Sequence, residues 1–120
     1  MAAILAVDDS NSMRQMVTFT LKQAGHTVTE AADGMEALEL AKKNSFNLVI
    51  SDVNMPRMDG IALIKQLRTL PSYKFTPLLM LTTEAGNDKK QEGKAAGATG
   101  WIVKPFNPDQ LLATVNRVLG

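Results

Sequence analysis

The chain has no cysteine and a single histidine among its 120 residues. Disulfides, thiolate metal sites and cysteine nucleophiles are excluded together, which fits a reducing compartment, and no second imidazole exists to partner the first. Charge of one sign is also missing. Lys and Arg number 13 against 12 Asp and Glu, a formal net charge of +1, so nothing electrostatic points to nucleic acid or an anionic membrane as the main partner. No apolar run approaches the roughly 18 residues of a membrane span. The opening Met1 to Val7 is apolar but short, lacks a basic flank and runs straight into Asp8-Asp9, which argues against a signal peptide. Internal repeats, low-complexity tracts and charge blocks are absent too, so no linker or boundary is read. What is present is ordinary: 45% hydrophobic and 21% charged residues, enough for a core and against wholesale disorder. One soluble cytoplasmic domain over residues 1–120, with no membrane insertion, is expected.

Strand-like and helix-like patterns alternate along the chain. Ala3 to Val7 is a short apolar run; Met13, Met16, Val17, Leu21 and Ala24 then recur near helical spacing, with Gly25 as a stop. Thr27-Val28-Thr29 predicts a second strand, and Asp33-Gly34 opens a helix bearing Met35, Leu38 and Ala41. Leu48-Val49-Ile50 is a third strand, followed by a loop to Asp59, which caps a helix carrying Ile61, Ile64 and Leu67. Pro77 to Leu81 is a fourth strand. The helix expected over Asn87 to Ala96 has almost no large apolar side chains and holds Gly93 in its middle, at about 1 kcal/mol against alanine. Trp101 to Val103 is a fifth strand, and Leu111, Leu112, Val115, Val118 and Leu119 give the last helix its apolar stripe. Near-continuous apolar strands are those covered on both faces, and right-handed crossovers then yield an α/β domain with an open, doubly wound parallel sheet.

In such sheets the site lies at the carboxyl ends of the strands. Those positions hold Asp8 and Asp9 after the first strand, Asp52 after the third, Thr82 after the fourth and Lys104 after the fifth. In the strand order 2-1-3-4-5 the first and third strands are neighbours, and three carboxylates converge. Like charges that close raise one another's pKa unless a cation intervenes, and oxygen donors without imidazole or thiolate suit Mg²⁺ better than Zn²⁺. Three carboxylates, a divalent ion and the Lys104 ammonium together carry no net charge. A dianion could enter without repulsion, which is a setting for phosphoryl chemistry.

Asp8-Asp9-Ser10, the stretch from Ser51-Asp52 through Met58-Asp59-Gly60, Leu81-Thr82-Thr83-Glu84 and Val103-Lys104-Pro105-Phe106 together resemble the receiver domains of two-component signalling. The likeness covers nearly the whole chain and is greatest to the stand-alone chemotaxis regulators of that family. It implies a (βα)5 flavodoxin-like domain with Asp52 as phosphoacceptor. Asp9, Asp52 and the backbone carbonyl of Asn54 would bind Mg²⁺, with Asp8 helping through water, and Thr82 and Lys104 would contact phosphoryl oxygens. The side chains at Asn54 and Glu84 would tune the lifetime of the acyl phosphate by admitting or blocking water. Trp101 would turn inward as Thr82 is drawn toward the phosphoryl group; receivers of this type usually carry a smaller aromatic there. A histidine kinase is the implied donor, and a protein bound in trans, such as a flagellar motor switch, the implied output of a monomeric switch that is not an enzyme acting on a separate metabolite.

Competing readings exist. Asp8 and Asp9 alone would serve to cap the helix beginning near Asn11, and His26 reads as a surface residue. A phosphorelay intermediate, or a receiver controlling another signalling protein, shares every motif. An aspartate-nucleophile phosphatase commonly has a second Asp two residues on, where this chain has Asn54. A flavodoxin-like mononucleotide binder wants a hydroxyl- and glycine-rich loop where Asp8-Asp9 stands.

Overall fold

Successive side chains of a strand point to opposite faces, and β1 (Ala3–Val7) shows why its run is unbrokenly apolar. Ile4 and Ala6 pack on one side with Val17, Leu21, Leu111 and Val115. Leu5 and Val7 pack on the other with Ala37, Ala41, Leu63 and Leu67. β3 (Leu48–Asp52) and β4 (Leu78–Thr82) are buried at every position in the same way. At the edges, β2 (Thr27–Ala31) is half exposed and largely polar, and β5 (Gly100–Val103) buries fully only Ile102. All pairings are parallel and the order is β2-β1-β3-β4-β5, as expected from the sequence.

The computed structural model describes residues 2–53, 55, 57–82, 87–104 and 106–119, without the side chains of 87–90. Helices α1 (Asn11–Gln23) and α5 (Pro108–Leu119) cover one face of the sheet. Helices α2 (Gly34–Lys43), α3 (Gly60–Arg68) and α4 (Asn87–Ala96) belong to the other. Among the described residues no helix is long and apolar enough to cross a membrane.

Local chemistry sets the boundaries. Ser10, and neither aspartate before it, caps α1: its Oγ accepts the Met13 N–H at 3.3 Å. Asp33 and Asp59 cap α2 and α3 through N–H donors at 2.9 and 2.8 Å. Gly93 is explained by a close approach, since a Cβ there would lie 2.5 Å from the sulfur of Met80, a fully buried side chain. The weak apolar content of α4 is thus offset by its nearness to the sheet. His26 is less of a surface residue than its position suggests. Its Nδ1 accepts the Ala2 N–H at 3.1 Å, joining the start of β1 to the entry of β2, and burial lowers its pKa below 6.5. A short 3-10 turn at Pro71–Tyr73, absent from the sequence reading, sets the Tyr73 hydroxyl between the Ala41 and Asn44 carbonyls at 2.9 and 2.6 Å.

Candidate functional site

The register brings the strand ends together. Val7 pairs with Ser51, so Asp8 and Asp52 emerge side by side. Asp52 lies opposite Leu81, and Thr82 opposite Val103. The Lys104 N–H donates to the Thr82 carbonyl at 2.7 Å, carrying the ladder one residue past β5 and turning the lysine back over the site. Its Nζ then lies 3.4 Å from Asp8 Oδ2 and 3.2 Å from Asp52 Oδ1.

Burial makes this arrangement consequential. Asp8 is 2% exposed and Asp52 8%, and Thr82 is buried beside them. Asp9 faces solvent, yet one oxygen from each of Asp8, Asp9 and Asp52 falls within 4.8 Å of the others. Asp8 Oδ1 accepts the Ser10 N–H at 2.9 Å, and Asp52 Oδ1 accepts the Val53 N–H at the same distance. Burial pushes the Asp52 carboxyl above its ordinary pKa and the Asp8 charge adds to the rise, while Lys104 and the Val53 N–H pull the other way. Ionising this acid is therefore opposed, and a cation among the three carboxylates would relieve the opposition. An all-oxygen donor set of that shape fits Mg²⁺.

The sequence matches the response regulator receiver domain family over residues 4–116. The chain belongs to that family. A chemotaxis protein CheY homolog of Campylobacter jejuni is 41% identical to this receiver over 119 residues, spanning 98% of this chain and 92% of that protein. The chemotaxis response regulator CheY4 of Vibrio cholerae is similar in structure, with a TM-score of 0.95 and 62% identity over 98% of both chains. The receiver domain of a sensor histidine kinase from Pseudomonas aeruginosa, which holds a magnesium ion in its active site cleft, gives a TM-score of 0.93. It is 25% identical, over 99% of this receiver and 98% of that chain. The match is to a signalling switch family.

Asp8, Asp9, Asp52, Thr82 and Lys104 are thus gathered at one end of the sheet, as the sequence led one to expect. Trp101 sits on the sheet face that carries α4, partly buried against the cluster containing Met80, its partner in the ladder. Asn54, Glu84 and the Lys104-Pro105 peptide, whose isomer the sequence leaves open, lie outside the described residues.

Three features that shape the site were not legible as such. Gly60, the first residue of α3, backs directly onto Asp52: an added Cβ would fall on the Asp52 carbonyl oxygen. Arg57 adopts a left-handed φ of 66° and pairs with Asp33 at 2.6 Å, tying the loop after Asp52 to the cap of α2. Arg14 donates to the Asp8 carbonyl. For Arg14 the available signal was its place on the helix directly after the acids; for the other two, nothing in the spacing announced the contact.

Proposed function

We propose that this receiver, acting as one unit over residues 1–120, is a phosphorylation-controlled switch that accepts a phosphoryl group from a histidine kinase on Asp52 with Mg²⁺. The observation that carries the reading is the Lys104 ammonium lying between Asp8 and Asp52 at 3.4 and 3.2 Å, with Asp9 completing the acid cluster. Asp8, Asp9 and Asp52 would hold the ion, with the backbone carbonyl of Asn54 as a further ligand. When bound it supplies positive charge shared by the acceptor carboxylate and the incoming phosphoryl oxygens.

In transfer, the N–P bond of a phosphohistidine breaks and an O–P bond forms at the Asp52 carboxylate; the imidazole nitrogen keeps the bonding pair. The residues of the chain contribute position and charge. Gly60 and the Val53 N–H fix Asp52 in place. Lys104, a long-reaching point charge, meets the phosphoryl oxygens, and the Thr82 hydroxyl donates to them. Drawing Thr82 toward the new group would let Trp101 change its packing, which alters the surface formed by α4, β5 and α5. Asn54 and Glu84 would govern how readily water hydrolyses the acyl phosphate.

The names of its relatives support a chemotaxis role; on this reading the receiver is a cytoplasmic monomer acting through a protein in trans, a flagellar motor switch being the implied output. It does not act on a separate metabolite. A relay intermediate that passes the phosphoryl group onward shares the same chemistry. Exposure to a small phosphodonor with Mg²⁺ should add one phosphoryl mass to the wild type and none to Asp52→Asn. Equal labelling of the two proteins would refute the assignment of Asp52.

A further inference from the structure

One cation beside the acid turn has no part in the chemistry above. Arg14 in α1 is largely buried, with 16% of its side chain exposed. Its three kinds of N–H reach the turn after β1, the start of its own helix, and β2. Nη1 donates to the Asp8 carbonyl at 2.6 Å, Nη2 to Asn11 Oδ1 at 2.6 Å, and Nε to Glu30 Oε1 on β2 at 3.0 Å.

The Asp8 carbonyl oxygen belongs to the peptide that joins Asp8 to Asp9. Because that peptide is planar, holding its oxygen sets the direction in which Asp9 leaves the chain. Asp8 needs little such help: its N–H donates to Ala31 at 3.1 Å, Oδ1 accepts from Ser10 at 2.9 Å, and Oδ2 faces Lys104 at 3.4 Å. Asp9 is different, an exposed side chain that still comes within 4.8 Å of the two buried acids. Its place in the cluster depends on the backbone that carries it.

We infer that Arg14 is a positioning residue for the divalent-cation site, fixing the Asp8–Asp9 peptide from α1 and β2 and so setting the spacing of the acids. This rests on the Mg²⁺ reading proposed above. The planar guanidinium fork holds three donors spread in fixed directions; lysine keeps the charge, and three N–H donors, but loses the span. Position and charge make opposite demands. The Arg14 charge, partly offset by Glu30, repels a divalent ion, so on electrostatics alone its removal tightens binding. If it acts by position, its removal loosens binding.

The test is calorimetric titration of the whole chain with Mg²⁺, together with amide NMR of the metal-free protein and a thermal midpoint for each variant. Arg14→Lys, with unchanged charge, is expected to bind Mg²⁺ about ten-fold more weakly, and Arg14→Ala also more weakly than wild type. The neutral Asn11→Ala removes one support and should lose roughly two- to five-fold, which keeps the test alive if the arginine variants fold poorly. In Arg14→Lys the metal-free amide signals of Asp9 and Ser10 should shift while those of α5 stay in place. Wild-type affinity in both Arg14→Lys and Asn11→Ala, or tighter binding by Arg14→Ala with Arg14→Lys unchanged, would overturn the inference and leave the proposed function standing. A wild type that takes up no Mg²⁺ would remove both.

Discussion

Asp33 shows how one carboxylate can serve two elements. Its Oδ1 caps α2 by accepting the Glu36 N–H at 2.9 Å, and its Oδ2 accepts from Arg57 Nε and Nη2 at 3.0 and 2.6 Å. The Glu36 N–H holds the Asp33 carboxyl below its ordinary pKa of 3.8, with Arg57 adding to the effect. A depressed acid contributes stability above its unfolded pKa and loses it as pH falls through the folded value. Asparagine caps a helix about as well as aspartate, so Asp33→Asn isolates the charge. Because Arg57 is 62% exposed, the loss at pH 7 should be below about 1 kcal/mol. The gap in urea midpoint between the two proteins should close once the pH is well below 3.8. A gap that stayed constant across that range would show that the pairing does not act through charge. The same attention to single atoms separates the legible residues from the rest. Asp8, Asp52 and Lys104 could be found because each follows an apolar run, and strand ends are where ligands bind. Arg14 and Gly60 act on the backbone of a remote segment, and side-chain periodicity encodes a buried face without saying which carbonyl that face will meet.

Among the elements, α4 is the one whose sequence argued most weakly for itself, and Gly93 carries the reason. The residue sits where the helix approaches Met80 so closely that a methyl group would meet the sulfur at 2.5 Å and the terminal carbon at 2.8 Å. Two effects of similar size oppose each other at this position. Alanine gains about 1 kcal/mol of helix propensity, while overpacking a buried side chain costs about 1–3 kcal/mol. Gly93→Ala alone should therefore be neutral or destabilising, whereas in a Met80→Ala background the same change should stabilise by about 1 kcal/mol. Denaturant unfolding of the four proteins measures the coupling, and strict additivity would show that the two residues do not compete for space. The sheet was easier to read. β1, β3 and β4 are buried on both faces and declared themselves by unbroken apolar runs. β2 is an edge strand with a polar sequence, and its extent to Ala31 became clear only from its register with β1. The cap of α1 was misassigned by one reading because three consecutive residues, Asp8, Asp9 and Ser10, can all cap a helix, and only geometry chooses Ser10.

Across the whole molecule, the site exists only when the fold is complete. Asp8 and Lys104 lie 96 positions apart in sequence, and the strands that carry them are separated in the sheet by β3 and β4. No local segment holds the acid cluster and its counter-charge together, so binding of an ion there would be linked to folding. The helices that cover the sheet hold the strand ends from below: α3 begins against the Asp52 peptide, and α1 reaches back to the Asp8 carbonyl. On the proposed function, chemistry at Asp52 would be felt first by these two helices. The most direct measurement is a crystal structure of the full chain grown with Mg²⁺ and beryllofluoride, a stable mimic of the phosphoryl group. The account predicts the mimic on the Asp52 carboxylate, the ion among Asp8, Asp9 and Asp52, and Lys104 and Thr82 in contact with the fluorines. An ion bound elsewhere, or acids that stay apart with no mimic on Asp52, would contradict it.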